Sequence, residues 1–256
     1  MDMYGYECWF KDYAGRFRQE KIFDQENIDL KVDHSLRVLD EARGITGHES
    51  FSDHETWLTH MAALLHDVGR FVQYDTYKTY SDPQSVDHGD LGREVLEKEG
   101  VLGDLPKIDQ HVILEAVRLH NKKDLPEDIT EPLGRVTRAV RDADKLDIVP
   151  VVLSRVGPGC PDNPVLRLGL GRDPEKYTQD VFDQVQGLHM VEYQSMRWVN
   201  DFKLLLASWS YALNYSWSRK QVLDRNYLDR LFALLPDTPA FGGLYDTLVA
   251  HLCIGA

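Results

Sequence analysis

The 256-residue sequence predicts an all-α protein. Apolar residues recur at helical spacing along its whole length, while alternating strand patterns and Asn-Gly or Asp-Gly hairpin turns are scarce. Capping residues and glycines also punctuate the periodic stretches where helices start and stop. With 43% hydrophobic and 10% aromatic content, the chain can bury a large core, as one large domain or a domain with an appendage.

The helices follow in order. In "ENIDLKVDHSLRVLDEA", Ile28, Val32, Leu36, Leu39 and Ala42 line one face. "SDHETWLTHMAALLHDVG" opens with Ser52 or Asp53 as N-cap and stops at Gly69, with Trp57, Leu58, Met61, Ala62 and Leu65 as its buried stripe. Further helices are expected at 88–99, 108–120, 132–149, 174–187, 191–214, 218–235 and 238–253. Two segments interrupt them. "QYDTYKTYSDPQSVD" reads as a connector. "SRVGPGCPDNPVLRLGLGRDP" is too rich in Gly and Pro to be helical throughout, and reads as a flap over 154–173 or a surface connector. The expected organisation is a helical core at 1–150, with that loop and C-terminal helices at 151–256 packed on it rather than forming an independent domain. The aromatic run "RWVNDFKLLLASWSYALNYSW" reads as core packing.

The net charge of -13 argues against a nucleic-acid polymer as partner, since affinity for a phosphate backbone needs clustered cations. Cys8, Cys160 and Cys253 are odd in number and far apart, which disfavours a disulfide framework or a cysteine zinc site. No apolar run approaches the roughly 18 residues of a membrane span, and "MDMYGYECWF" does not resemble a signal peptide. A cytoplasmic protein is expected, with homo-oligomerisation left open.

Metal-competent side chains lie on or at the ends of different predicted helices: His34, His66 with Asp67, His88, His120, and an acidic cluster about Asp144. His34 and His66 are 32 residues apart, and so are His88 and His120; bundled helices can bring such residues together. Imidazoles and carboxylates in one pocket suit a divalent transition metal. Each residue also has a plainer reading. His66 could meet the helix dipole with Asp67 solvated; the pair can face one ion only near a helix end, which Gly69 would provide. His34 could be a core histidine, His88 an N-cap neighbour and His120 a helix-end residue. In "GRVTRAVRDADKLDIV", Val136, Ala139, Val140, Ala143 and Leu146 define the buried face. Asp142 then points away, toward a surface salt bridge, and periodicity leaves both Asp144 and Asp147 as ligand candidates. His48, His54, His60, His111, His189 and His251 have no motif context.

Taken in order, "DHSLRV", "LLHDVGR" and "DADKLD" resemble the motif of the HD-domain superfamily of metal-dependent phosphohydrolases over residues 30–150. The resemblance implies an HD-domain helical bundle with ligands His34, His66, Asp67 and Asp144, leaving Asp147 an ion-pair role. "DHGDLG" and "RLHNKK" resemble the segments that add His88 and His120 in two-metal members, with Asp67 bridging and Gly92 allowing close helix approach. The cyclic-di-GMP phosphodiesterases with an HD-GYP signature carry a second histidine where Asn121 stands, and no GYP follows Asp144. The HD-type 5'-deoxynucleotidases carry a glutamate where Arg70 stands. Both subgroups are disfavoured.

The implied activity is hydrolysis of a phosphate ester of a small molecule, a nucleotide or related compound, by a metal-activated water, with two ions of Fe, Mn or Ni, or Mg. Asp67, Arg70 and Lys145 are the expected catalytic residues, and Arg37, Arg70, Asn121 and Lys145 the expected substrate-binding ones; Arg118, Lys122 and Lys123 also flank His120. The alternatives are a di-iron oxygenase of the same fold, as a resemblance to myo-inositol oxygenase implies, and a non-catalytic metal or nucleotide sensor.

Overall fold

The structure, a computed structural model, describes residues 1–155, 165 and 167–255. Cys160 and half of the expected flap, residues 156–164 and 166, lie outside the described residues. The fold is all-α. Among the described residues there is no strand, only an isolated bridge between Gly171 and Trp198. The chain divides into two compact units, Met1–Asp147 and Ile148–Ala256.

The first unit begins with α1 (Met3–Gly15), capped by Asp2, whose Oδ1 accepts the Gly5 N–H at 2.8 Å. The long α2 (Ile22–His48) packs on α3 (Asp53–Leu65). Ser52 caps α3 through a reciprocal capping box with Glu55, satisfying two N–H groups that the helix start would otherwise orphan. After α4 (Gly69–Tyr77) a single 3-10 turn, Asp82–Gln84, leads to α5 (His88–Glu99), which packs on α4 and on α6 (Lys107–Leu119). Asp87 caps α5 by accepting from Gly89 and Asp90, and Gly100, at φ +66°, ends it. Then α7 (Leu133–Arg155) runs from the first unit into the second. In the second unit, α8 (Gln179–Gln186), α9 (Val199–Ser208), α10 (Ser216–Asp224), α11 (Tyr227–Phe232) and α12 (Pro239–Gly255) pack on one another. Of the aromatic run read as core packing, Phe202 and Trp209 are buried, while Trp198, Tyr211, Tyr215 and Trp217 are half-buried.

Several expectations are corrected. Gly69 does not terminate α3, which ends at Leu65, but opens α4. Its role is close approach: a Cβ there would lie 2.4 Å from the His88 carbonyl oxygen and 2.6 Å from Gly92 N. Asp142, expected to point away from the buried face toward the surface, is fully buried. The half-exposed side of α7 is carried by Arg135, Arg138, Arg141, Asp144 and Lys145, and Asp142 lies beside that stripe rather than on it. That helix also continues past Pro150 to Arg155. On α2 the buried face includes His34, Ser35 and Val38, while Val32 and Leu36 are half-buried. The helix expected over 191–214 starts only at Val199, where Asp201 Oδ2 accepts the N–H groups of Arg197 and Trp198 at 2.7 and 2.9 Å. The one expected over 218–235 breaks at Asn226, which is left-handed at φ +52°, a conformation asparagine tolerates better than most residues.

Two measurements check this packing. Gly69→Ala is expected to destabilise the protein by about 1–3 kcal/mol, the usual cost of overpacking, seen as a lower denaturation midpoint. Burial pushes His60 down to about 4, with Arg43 contributing. In the unfolded chain this group binds a proton below about 6.5, so stability is full above that pH and falls as pH drops toward 4. His60→Gln should therefore show a shallower loss of stability over that window in urea titrations at several pH values.

Candidate metal centre

Six side chains from α2, the α3–α4 turn, the start of α5, the end of α6 and the middle of α7 converge in the first unit. His66 and His120 occupy equivalent positions, each the C-cap of its helix. Each Nδ1 meets the carbonyl three residues back, Ala63 at 2.7 Å and Val117 at 2.6 Å. A carbonyl only accepts, so the ring proton is on Nδ1 and Nε2 faces inward. His34 and His88 reach the same state through carboxylates. His34 Nδ1 lies 2.7 Å from Asp147 Oδ2, and His88 Nδ1 lies 2.6 Å from Asp82 Oδ2. The end of α6 is held against α7 by Arg141, whose guanidinium donates to the carbonyls of Leu119, His120, Lys122 and Lys123.

The inward nitrogens form two pairs. His34 and His66 meet Nε2 to Nε2 at 3.2 Å, with Asp144 Oδ1 at 3.0 and 3.7 Å from them. His88 and His120 meet at 3.0 Å. Asp67 lies between the pairs and divides its carboxylate: Oδ2 is 3.5 and 3.6 Å from His34 and His66, Oδ1 is 3.5 and 3.8 Å from His88 and His120. The four histidines and Asp67 are at most 5% exposed. The donor groups His34, His66 and Asp144, and His66, Asp67 and His120, each lie within 4.8 Å of one another.

Electrostatics differ between the pairs. Burial and Lys31 oppose charge on His34, but hydrogen bonds to Asp144 and Asp147 raise its pKa overall. Burial lowers His66 and His88, and lowers His120 well below the ordinary histidine value. Burial also pushes Asp67 up, yet Lys31, His66, Arg70 and His88 together hold its carboxyl well below the usual range. Asp144 is likewise held low, against burial, chiefly by its hydrogen bond with His34. The carboxylates are thus ionised and the second pair neutral, the protonation states that metal ligation needs. Two neutral imidazoles with bare nitrogens 3.0 Å apart repel unless a cation sits between or beside them. The donor set, imidazole nitrogens with carboxylate oxygens, suits a divalent transition ion.

Residues 32–148 match the family model for the HD domain. This segment is an HD domain. The family is one of metal-dependent phosphohydrolases, and the histidine and aspartate cluster that could hold metal lies within the matched residues. No curated protein and no solved structure matches the chain. Among the described residues, no helix of the chain is long and apolar enough to cross a membrane.

All six expected ligands come together in the HD domain. The expected cations are placed differently. Arg37 is bidentate on Asp147, with Nε at 2.6 Å and Nη2 at 3.0 Å, behind His34. Arg70 spends Nη1 on Tyr80 O, Gln73 and Asp82, while its buried Nε has no hydrogen-bond partner and lies 3.5 Å from Asp67 Oδ1. Lys145, lowered to about 8 by burial, donates to the Arg141 carbonyl of its own helix. Asn121 Nδ2 faces Asp82 and Asp87, Lys122 pairs with Asp87 and Asp90, and Arg118 pairs with Glu115. Two residues at the centre went unread in the sequence. Lys31 Nζ lies 2.7 Å from Asp67 Oδ2; it precedes His34 by one helical turn, a spacing that could have suggested it. Asp82 carries no local signal.

If ions relieve the crowding of bare nitrogens, metal should stabilise the fold. Titrating Mn²⁺ into metal-free protein is expected to raise Tm, by the equivalent of about 2.7 kcal/mol at a free concentration of about 100 Kd. Chelator should reverse the gain, and Asp67→Ala should show little of it.

Proposed function

We propose that the chain is a divalent-metal-dependent phosphohydrolase acting on a phosphate ester of a small molecule, a nucleotide or related compound. The observation that carries this reading is Asp67, which turns one oxygen to each histidine pair. His34, His66 and Asp144 would hold one ion, His88 and His120 the other, and Asp67 both. When bound, two divalent ions supply Lewis acidity to phosphoryl oxygens and lower the pKa of the attacking water.

The remaining roles belong to the chain's own cations. Lys31 Nζ and Arg70 Nε stand beside different oxygens of Asp67, and both groups lie over the Tyr80 ring, 5.2 and 5.7 Å from its centroid. In a protein of net charge -13, this local positive charge offsets the repulsion that an anionic substrate would otherwise meet. The Arg70 guanidinium, fixed through Nη1 by the turn at Tyr80 and Asp82, is pre-oriented to stabilise charge developing on a phosphoryl group. Lys145 is assigned a lesser part, because its ammonium is engaged along its own helix. No serine, cysteine or lysine nucleophile is needed.

A panel of phosphomonoesters, diesters and nucleoside triphosphates, assayed without oxygen in Mn²⁺, Fe²⁺ or Ni²⁺, tests the proposal. Metal-dependent phosphate release is expected, abolished in Asp67→Ala and lowered about 100-fold or more in kcat by Arg70→Met. In a parallel assay under air, oxygen consumption that requires iron, with no hydrolysis in the anaerobic panel, would replace this reading by the oxygenase one. Ligand binding with no turnover under any condition would favour a sensor.

A further inference from the structure

Asp82 lies on the 3-10 turn between α4 and α5, in the segment that reads as a connector, yet its carboxylate gathers four donors. Oδ1 accepts from Arg70 Nη1 and Gln73 Nε2, both at 2.9 Å, and Oδ2 accepts from His88 Nδ1 at 2.6 Å and Asn121 Nδ2 at 3.2 Å. The turn itself is pinned by fully buried Gln73, whose Nε2 also reaches Ser85 Oγ and the Val86 carbonyl at 2.8 and 3.0 Å.

We propose that Asp82 is a positioning residue that keeps His88 open to a metal ion, by holding its ring proton on Nδ1 and so forbidding a hydrogen bond between His88 and His120. The proposal rests on the two-ion reading above. A neutral imidazole has one proton and two places for it. His120 has no choice, because Val117 O fixes its proton on Nδ1 and leaves Nε2 an acceptor. Were the His88 proton on Nε2, it would point at that acceptor 3.0 Å away, or at Asp67 Oδ1 at 3.5 Å. The centre would then close on itself, with the lone pairs spent inside the protein.

What faces His88 Nδ1 decides between the two tautomers. Asp82 Oδ2 accepts a proton there, whereas Asn121 Nδ2, at 3.2 Å, would donate one and drive the proton to Nε2. The carboxylate prevails because it is nearer and charged, and charge-assisted hydrogen bonds are roughly twice as strong as neutral ones. It also draws Asn121 away, since the amide protons have Asp82 Oδ2 and Asp87 Oδ1 as alternatives. Carboxylate-backed histidines commonly serve as metal ligands for this reason.

Asparagine at position 82 keeps the shape and inverts the instruction. Its single oxygen would turn to Arg70 and Gln73, both donors, so its NH₂ would face His88 Nδ1 and make that nitrogen an acceptor. The gained His88 Nε2–H to His120 Nε2 bond should keep the metal-free Asp82→Asn protein folded, with a Tm no lower than wild type. In Asp82→Ala, water can take the Nδ1 proton, because the Asp82 side chain is 26% exposed.

The experiment compares metal-free full-length wild type, Asp82→Asn and Asp82→Ala. Long-range ¹H–¹⁵N spectra of His88 should give the Nδ1–H tautomer in wild type and Nε2–H in Asp82→Asn. In Mn²⁺ titrations followed by EPR, wild type should take up two ions. Asp82→Asn should bind the first unchanged and the second about 10- to 100-fold more weakly, with a smaller loss in Asp82→Ala. A merely structural role would make alanine the worse variant. Nε2–H in wild type, Nδ1–H retained in Asp82→Asn, or an unaltered second ion in that variant would overturn the proposal. If wild type binds fewer than two ions the two-ion reading itself fails, and the tautomer spectra still decide what Asp82 does. Should Asp82→Asn not fold, the wild-type spectrum and a weakened second ion in Asp82→Ala carry the test.

Discussion

The carboxylate of Asp67 is 2% exposed and stands between two pairs of imidazoles, one oxygen to each. Removing such a charge from water costs several kcal/mol unless partners compensate it. Much of the first unit can be understood as that compensation. Lys31 and Arg70 bring positive charge to its oxygens, the inward nitrogens surround it, and carbonyls or carboxylates behind those nitrogens fix the rings. These partners come from α2, from the α3–α4 turn and the start of α4, from α5 and from the end of α6, so the network also ties those helices to one another.

Such a convergence needs helices closer than side chains normally permit. Three glycines make room. Gly69 abuts His88 and Gly92, and a Cβ at Gly89 would fall 2.7 Å from the Arg118 carbonyl oxygen. These contacts bring the beginning of α5 against the turn that carries His66 and Asp67 and against the end of α6 that carries His120. Close backbone packing here serves chemistry as much as stability, because it sets the separation of nitrogen atoms that no flexible side chain could fix as firmly.

The fold class was legible in the sequence through helical periodicity and capping residues, whereas the six inward residues were singled out together only because their segments resemble those of the HD domain. Asp144 and Asp147 show where locality stops. Periodicity could not separate them, and in three dimensions both touch His34, one on each ring nitrogen. Asp142 was misplaced because it is buried beside a half-exposed polar stripe of α7, Arg135, Arg138, Arg141 and Lys145, and apolar spacing does not say on which side of that stripe it falls. Gly69 was misread for a related reason: a glycine at the end of an apolar run looks like a helix stop, and only the neighbouring helix reveals that it is a contact. Asp82 and Lys31 act through partners 6 to 39 residues distant in sequence, which no pattern along one segment can display.

Lys31 has a further consequence. With its ammonium 2.7 Å from Asp67 Oδ2, the chain carries its own place-holder cation, and newly made protein need not wait for metal before its central carboxylate is neutralised. A carboxylate oxygen has lone pairs enough for both an ammonium and an ion, so loading can proceed without expelling the lysine. On the two-ion reading proposed above, the polypeptide would then reach its fold in a metal-poor setting, and ions would enter afterwards beside the lysine.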